Sequence, residues 1–195
     1  MDAAQPLPDP RPFYERAADQ MAALIDLTSK DTLDAPTPCS EYDVRGLVSH
    51  VIAGTRRFVA VGEKGAAPDA PDEAPDVPDD GLAEAYATER RRLAAAWADD
   101  TTLDTEVTVP WGTMPGRYAL SGSVMETVMH SWDLSRALGH PIPLDQELAG
   151  FALATGRQAL PAEGREGLPF DPVVPVDPAE TDTYAQLAGW LGRTP

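Results

Sequence analysis

Apolar residues recur every three or four positions along several proline-free segments of the chain, which is the spacing of one buried helix face. The 20 prolines cluster between these segments, and a helix interior disfavours proline by about 3 kcal/mol. We therefore predict helices over residues 12–30, 43–62, 81–99, 119–138, 144–160 and 183–191. Ser40 and Asp43 resemble a capping pair at the start of the second helix.

Three segments lack this spacing. Residues 1–10 are predicted to form a loose arm, and residues 65–80, rich in Pro, Ala and Asp, an extended or mobile loop without a chemical role. In residues 105–118, β-branched residues alternate and proline and glycine supply turns, which favours a short strand or extended loop. This segment either folds over the following helix, with Trp111 and Met114 lining a pocket, or is a crossover whose tryptophan covers the bundle.

Several long helices joined by these connections predict an all-α helical bundle. The chain length fits a single domain over residues 1–195. The connection 99–119 is long enough for a crossover between distant helices.

Charge and composition argue against several classes of protein, such as nucleic-acid-binding and membrane-spanning proteins. Fifteen basic and 32 acidic residues give a formal net charge of −17, which repels nucleic acids and anionic membrane surfaces. No apolar run approaches the roughly 18 residues needed to span a bilayer. Cys39, the single cysteine, cannot form an intramolecular disulfide, and the N-terminus has no leader pattern, so we expect a cytoplasmic protein. Cys39 is interpreted as a small packed residue rather than a nucleophile or ligand.

Candidate chemistry lies in residues 122–139, read as GSVMETVMHSWDLSRALG. Glu126 and His130 stand four positions apart and project from the same helix face. His50 lies on the apolar face of the second helix. A carboxylate and two imidazoles facing a core either hydrogen-bond to one another and to polar neighbours or hold a metal. Two imidazoles and one carboxylate would leave coordination positions open, as a catalytic centre requires. His140 is interpreted as a surface residue.

Three segments together resemble a known family. They are Thr37 to His50 (TPCSEYDVRGLVSH), the pattern Glu126-x-x-x-His130-x-Trp132-Asp133-Leu134, and the closing LGRTP. They are similar to metal-binding proteins related to the N-terminal domain of mycothiol-dependent maleylpyruvate isomerase, within the DinB/YfiT-like helical bundles.

The resemblance implies an antiparallel four-helix bundle, with a short extended segment before the fourth helix and a short C-terminal helix. It also implies a divalent metal held by His50, Glu126 and His130. Zinc is the first candidate, and Ni²⁺, Fe²⁺ and Mn²⁺ suit the same ligands. A low-molecular-weight thiol, mycothiol, would occupy the open position. Asp133 would orient an imidazole, or would instead be a solvent-facing or capping carboxylate.

Three functions remain open at this stage. The leading hypothesis is a thiol-dependent transferase or isomerase-like enzyme acting on an electrophilic small molecule, with Trp111 and Arg117 contacting the cofactor and Arg117 or Arg136 attracting a carboxylate. The others are a metal-binding module without turnover and a purely structural bundle. The isomerase has an additional C-terminal domain for which residues 161–195 are too short, so maleylpyruvate isomerisation itself is not expected. Monomer and homodimer both remain possible.

Overall fold

The computed structural model describes residues 8–168, 170–177 and 179–195, so most of the arm predicted for residues 1–10 lies outside the described residues. The protein is mostly helical, as predicted. Its elements are α1 (Arg11–Ile25), α2 (Val44–Lys64), α3 (Leu82–Ala96), α4 (Asp100–Asp104), β1 (Glu106–Val109), β2 (Gly112–Pro115), α5 (Gly116–Ala137), α6 (Gln146–Ala159) and α7 (Thr183–Trp190). Within the described ranges, no helix is long and apolar enough to cross a membrane.

Helices α1, α2, α3 and α5 form a four-helix bundle, and this confirms the predicted fold class. Their directions follow from side-chain contacts along their lengths. The Trp97 indole at the end of α3 donates to the Phe58 carbonyl late in α2 (2.9 Å), while Arg45 early in α2 pairs with Asp79 just before α3. Helices α2 and α3 therefore run in the same direction. Arg90 of α3 pairs with Asp19 of α1 (2.5 Å).

The chain between α2 and α3 must consequently return along the bundle, and residues 65–81 make this crossover rather than the connection 99–119. Three arginines of α2 hold the acidic segment against the helix, through the pairs Arg57–Asp72 (2.8 Å), Arg56–Asp76 (2.8 Å) and Arg45–Asp79. The clustered aspartates of this loop thus bind it to α2. The pattern of prolines and aspartates in the sequence did not indicate this role.

The extended segment predicted before the fourth long helix is an antiparallel hairpin in which Val107 pairs with Met114 and Val109 with Gly112. Gly112 adopts a φ of 145°, a conformation that glycine tolerates and other residues rarely adopt. The main chain of Thr108 also hydrogen-bonds to Gly65 and Ala67. The hairpin is therefore tied to the end of α2.

Local capping decides several boundaries that the sequence placed differently. Asp43, rather than Ser40, caps α2, because its carboxylate accepts a hydrogen bond from the Gly46 amide (2.8 Å). Asp99 caps the unpredicted helix α4 through the Thr101 amide (2.8 Å). Gly139, with a φ of 77°, follows the end of α5 as expected from its sequence position.

Candidate metal centre

Side chains from α2 and α5 converge inside the bundle. Ligand atoms of His50, Glu126 and His130 lie within 4.8 Å of one another. Nε2 of His130 is 3.6 Å from a Glu126 carboxylate oxygen, and the two imidazole rings meet edge to face with centroids 5.2 Å apart. His130 is buried, whereas the Glu126 side chain is 38% exposed. The group is therefore reachable from the Glu126 side.

The crossover loop orients His50. Nδ1 of His50 lies 2.9 Å from the carbonyl oxygen of Asp72 and 3.1 Å from the Tyr42 hydroxyl, and the Tyr42 ring stacks on the imidazole at 4.8 Å. A carbonyl can only accept, so the geometry favours the tautomer with hydrogen on Nδ1 and leaves Nε2 with a free lone pair. Residues 65–80, for which the sequence predicted no chemical role, thus supply a backbone contact to His50.

A buried carboxylate orients His130 in the same way. Nδ1 of His130 lies 3.0 Å from Oδ2 of Asp133, whose side chain has no exposed surface. Asp133 is therefore neither solvent-facing nor a helix cap. Its other partner is Arg193, whose guanidinium nitrogens lie 3.2 and 3.4 Å from the two carboxylate oxygens.

These contacts shift the protonation equilibria of the group. Burial alone would lower the pKa of His130, but the hydrogen bond to Asp133 and the nearby Glu126 carboxylate outweigh it and raise the pKa to about 9. Burial and the neighbouring His130 lower the pKa of His50. For Glu126 and Asp133, burial is opposed by the nearby His130 and Arg193 charges, and both pKa values are lowered. Without a metal, the centre thus favours a charged His130 and a neutral His50.

The donor set fits a divalent transition metal. Both Nδ1 atoms face hydrogen-bond acceptors, so each ring can offer Nε2, and Glu126 adds a carboxylate oxygen. Two imidazoles and one carboxylate suit Zn²⁺ and several neighbouring ions. Acceptors behind the ligating rings are usual in such sites because they fix ring orientation.

Trp111, one of the residues predicted to line the pocket, lies beside Phe58 of α2 and Gly122 of α5. Its ring is 51% exposed and lies 6.1 Å from the Phe58 ring. A Cβ at Gly122, one helical turn before Glu126, would be 3.3 Å from the Trp111 ring, so glycine permits this close packing.

The two predicted arginines do not join the three ligands. Arg117 precedes Glu126 by nine residues, which places it about half a turn around α5, and its guanidinium pairs with Asp104 (2.7 Å). Arg136, in the last turn of α5, is exposed and lies 5.2 Å over the Trp132 ring.

Sequence reasoning missed two neighbours of the centre. Arg193 was noted only as part of the closing LGRTP segment, because nothing in its spacing points to α5. The Cys39 thiol also lies within 4.8 Å of ligand atoms of His130 and Asp133. Burial raises the pKa of this thiol, which agrees with its interpretation as a packed, protonated residue.

Two surface cavities, of about 430 and 370 Å³, border the connection between α5 and α6 around Ile142 and Leu144. Neither is lined by a residue of the candidate centre. The chemistry of the converging side chains, rather than cavity size, therefore identifies this site.

Comparison with known proteins agrees with the fold. Two uncharacterized proteins from two strains of Mycobacterium tuberculosis are each 34% identical over 187 residues, covering 95% of this chain and 98% of theirs. The crystal structure of the mycothiol-dependent maleylpyruvate isomerase matches with a TM-score of 0.61 at 16% identity, over 77% of this chain and 68% of that one. A histidine-to-alanine mutant of that isomerase matches with a TM-score of 0.60 at 15% identity and the same coverage.

The family described as the mycothiol maleylpyruvate isomerase N-terminal domain matches residues 14–135, more than half of the chain. The matched range includes His50, Glu126, His130 and Asp133. The chain belongs to the mycothiol maleylpyruvate isomerase N-terminal domain family.

Proposed function

We propose that this protein binds a divalent metal, with zinc as the first candidate, through His50, Glu126 and His130, and uses it to activate a low-molecular-weight thiol for transfer or isomerisation chemistry. The observation that carries the proposal is the convergence of the three side chains within 4.8 Å, with an acceptor behind each imidazole. A divalent cation held there would stabilise a thiolate relative to its thiol, and the thiolate is the nucleophile.

The protein's own residues would prepare the site in three ways. The Asp72 carbonyl and the Asp133 carboxylate hold the two rings with Nε2 free. Glu126 contributes negative charge from a partly exposed position, which leaves one side open to a small molecule. Burial of His130 limits access of water from the opposite side.

The surface of α2 one turn beyond His50, called the groove here, would receive the rest of the thiol or its electrophile. Gly54 follows His50 by one helical turn, and a Cβ there would meet nothing within 4 Å. Phe58, one turn farther along, and Trp111 form an aromatic wall beyond this opening. A polar entrance with an apolar wall is typical of small-molecule sites.

Mycothiol is the first thiol to test, because the family is named for a mycothiol-dependent isomerase and the solved relative carries the same description. The electrophile remains to be identified. A screen should therefore start from thiol binding and extend to thiol conjugation and cis–trans isomerisation of unsaturated acids.

The decisive experiment loads the protein with Co²⁺ and titrates it with mycothiol, N-acetylcysteine and glutathione while recording near-ultraviolet absorption. Sulfur ligation gives a sulfur-to-cobalt charge-transfer band that saturates with thiol. Trp111→Ala should weaken thiol binding, whereas Leu27→Ala, which removes another exposed apolar side chain just after α1, should leave it unchanged. No thiol-dependent band, together with no turnover across the electrophile panel, would contradict the proposal.

A structural role without metal is the competing reading, and one observation favours it. Glu126, His130, Asp133 and Arg193 form a connected series of contacts, so the buried charges already have partners. This reading predicts that the protein shows no specific affinity for transition metals.

A further inference from the structure

Arg193, close to the C-terminal end of the sequence, places a positive charge near the candidate centre. The Arg193 guanidinium contacts both oxygens of the buried Asp133 carboxylate, and its own side chain is only 14% exposed. Asp133 in turn contacts His130 at 3.0 Å. One buried carboxylate therefore separates the Arg193 charge from a candidate metal ligand.

The backbone around Arg193 is built to hold this position. The Arg193 amide donates to the Ala188 carbonyl (2.8 Å), and its guanidinium also donates to the Leu191 carbonyl (3.2 Å). Gly192 has a φ of 87°, and a Cβ there would lie 2.5 Å from the Asp171 side chain. Glycine is thus required at 192 both for its conformation and for space.

The charges around the centre can be counted residue by residue. Glu126 and Asp133 each carry a negative charge, and Arg193 carries a positive one.

The count changes when a divalent metal is added. With neutral imidazoles and the metal bound, the centre has a net charge of plus one, which one monoanionic ligand neutralises. Without Arg193 the loaded centre would already be neutral, and an anion would gain less from binding.

We propose that Arg193 is the residue that sets the preference of the loaded centre for a monoanionic ligand over a neutral one. The inference rests on the proposed function, since it assumes metal at His50, Glu126 and His130. It narrows the ligand class to groups that bind as anions, such as a thiolate. Arg193 acts through Asp133 and the local field rather than by touching the ligand, so it is a positioning residue.

The test uses the full chain loaded with excess Co²⁺ and compares azide, a monoanion, with imidazole, a neutral ligand. Affinities are measured by visible absorption, and the readout is the ratio of the two. Arg193→Gln should lower the azide-to-imidazole affinity ratio about tenfold. Arg193→Lys keeps the charge and should stay within about twofold of the wild type. Arg90→Gln removes a distant arginine and should have the same small effect.

Substitutions at Asp133 distinguish an electrostatic role of Arg193 from a structural one. They also keep the test valid if Arg193→Gln fails to fold. Asp133→Asn makes the loaded centre more positive, so the ratio should rise about tenfold. The double variant Asp133→Asn/Arg193→Gln restores the original net charge, so the ratio should return to the wild-type value. A purely structural Arg193 would weaken both ligands together and leave the ratio unchanged in Arg193→Gln.

The outcomes distinguish the two proposals. A wild-type protein that does not bind Co²⁺ overturns both the metal site and the role of Arg193. A wild-type protein that binds Co²⁺ but keeps a constant azide-to-imidazole ratio across the variants overturns only the role of Arg193.

Discussion

Nδ1 of His130 lies 3.0 Å from Oδ2 of Asp133, a carboxylate with no exposed surface three residues farther along the same helix. This spacing fixes one face of the imidazole and aims Nε2 toward Glu126. Without its partners the carboxylate would be an isolated buried charge, which costs several kcal/mol. The pair thus orients the ring on which the candidate centre depends.

Replacing Asp133 with Asn should weaken metal binding about 10- to 100-fold, because the amide holds the His130 tautomer less firmly. Competition with a chelating dye measures the affinity. Asp104→Asn is the matched control, since it removes an exposed carboxylate that pairs with Arg117 on another face of α5. Equal metal affinity in the wild type and Asp133→Asn would show that Asp133 does not support the ligand.

The stability of the metal-free protein should depend on pH through His130. Its pKa is raised from 6.5 to about 9 in the folded state, so the protonated ring stabilises the fold. This contribution is fully present below pH 6.5 and is lost as the pH rises through about 9. The full loss is about 3 kcal/mol. Urea unfolding of chelator-treated protein between pH 6 and pH 10 measures it.

His130→Gln is the control for this pH dependence, because glutamine does not titrate. The free energy of unfolding of this variant should be flatter between pH 6.5 and 9 than that of the wild type. A wild-type protein whose stability stays constant over this interval would show that the pKa of His130 is not raised.

A bulky residue at position 54 should block the groove without removing the metal ligands. Gly54→Leu is expected to keep metal affinity within about threefold and to weaken thiol binding by tenfold or more, since a leucine side chain would fill the opening beside His50. Gly150→Leu is a matched control: its Cβ would also meet nothing within 4 Å, but it lies on α6. Equal thiol affinity in the two variants would place the thiol elsewhere.

Loss of the Ser49 hydroxyl should loosen the crossover loop over His50. Ser49 Oγ accepts a hydrogen bond from the buried Ala74 amide (2.9 Å), and an unsatisfied buried amide costs about 1–3 kcal/mol. Ser49→Ala should lower the free energy of unfolding by that amount and speed amide hydrogen exchange in residues 70–76.

Glu73→Gln is the control for the loop, because it neutralises an exposed carboxylate of the same segment and should cost less than about 1 kcal/mol. Unchanged hydrogen exchange in Ser49→Ala would show that this contact does not hold the loop in place.

The helices and the three candidate ligands could be predicted from the sequence because both follow local spacing. Glu126 and His130 share a face by the helical repeat alone, and the apolar stripe of α2 places His50 toward the same core. The alternation in residues 105–118 likewise predicted a short strand or extended loop, although not the pairing of two strands in a hairpin.

The supporting contacts could not be predicted because they join distant parts of the chain. No local pattern connects the Asp72 carbonyl with His50 or Arg193 with Asp133. The Asp-rich loop has no apolar periodicity that would indicate where it packs. Its position against the arginines of α2 follows from the parallel direction of α2 and α3, which the sequence does not show. Arg117 was placed near the site because of its closeness in sequence, but it projects from another face of α5.

We propose that His50, Glu126 and His130 hold one metal ion. Elemental analysis by mass spectrometry of protein purified without added ions, alongside His50→Ala, Glu126→Ala and His130→Ala, tests it most directly. We expect about one transition metal per wild-type chain and its loss from each variant, since each variant removes one of three ligands. Metal-free wild-type protein that also fails to take up Zn²⁺, or full occupancy retained in all three variants, would contradict it.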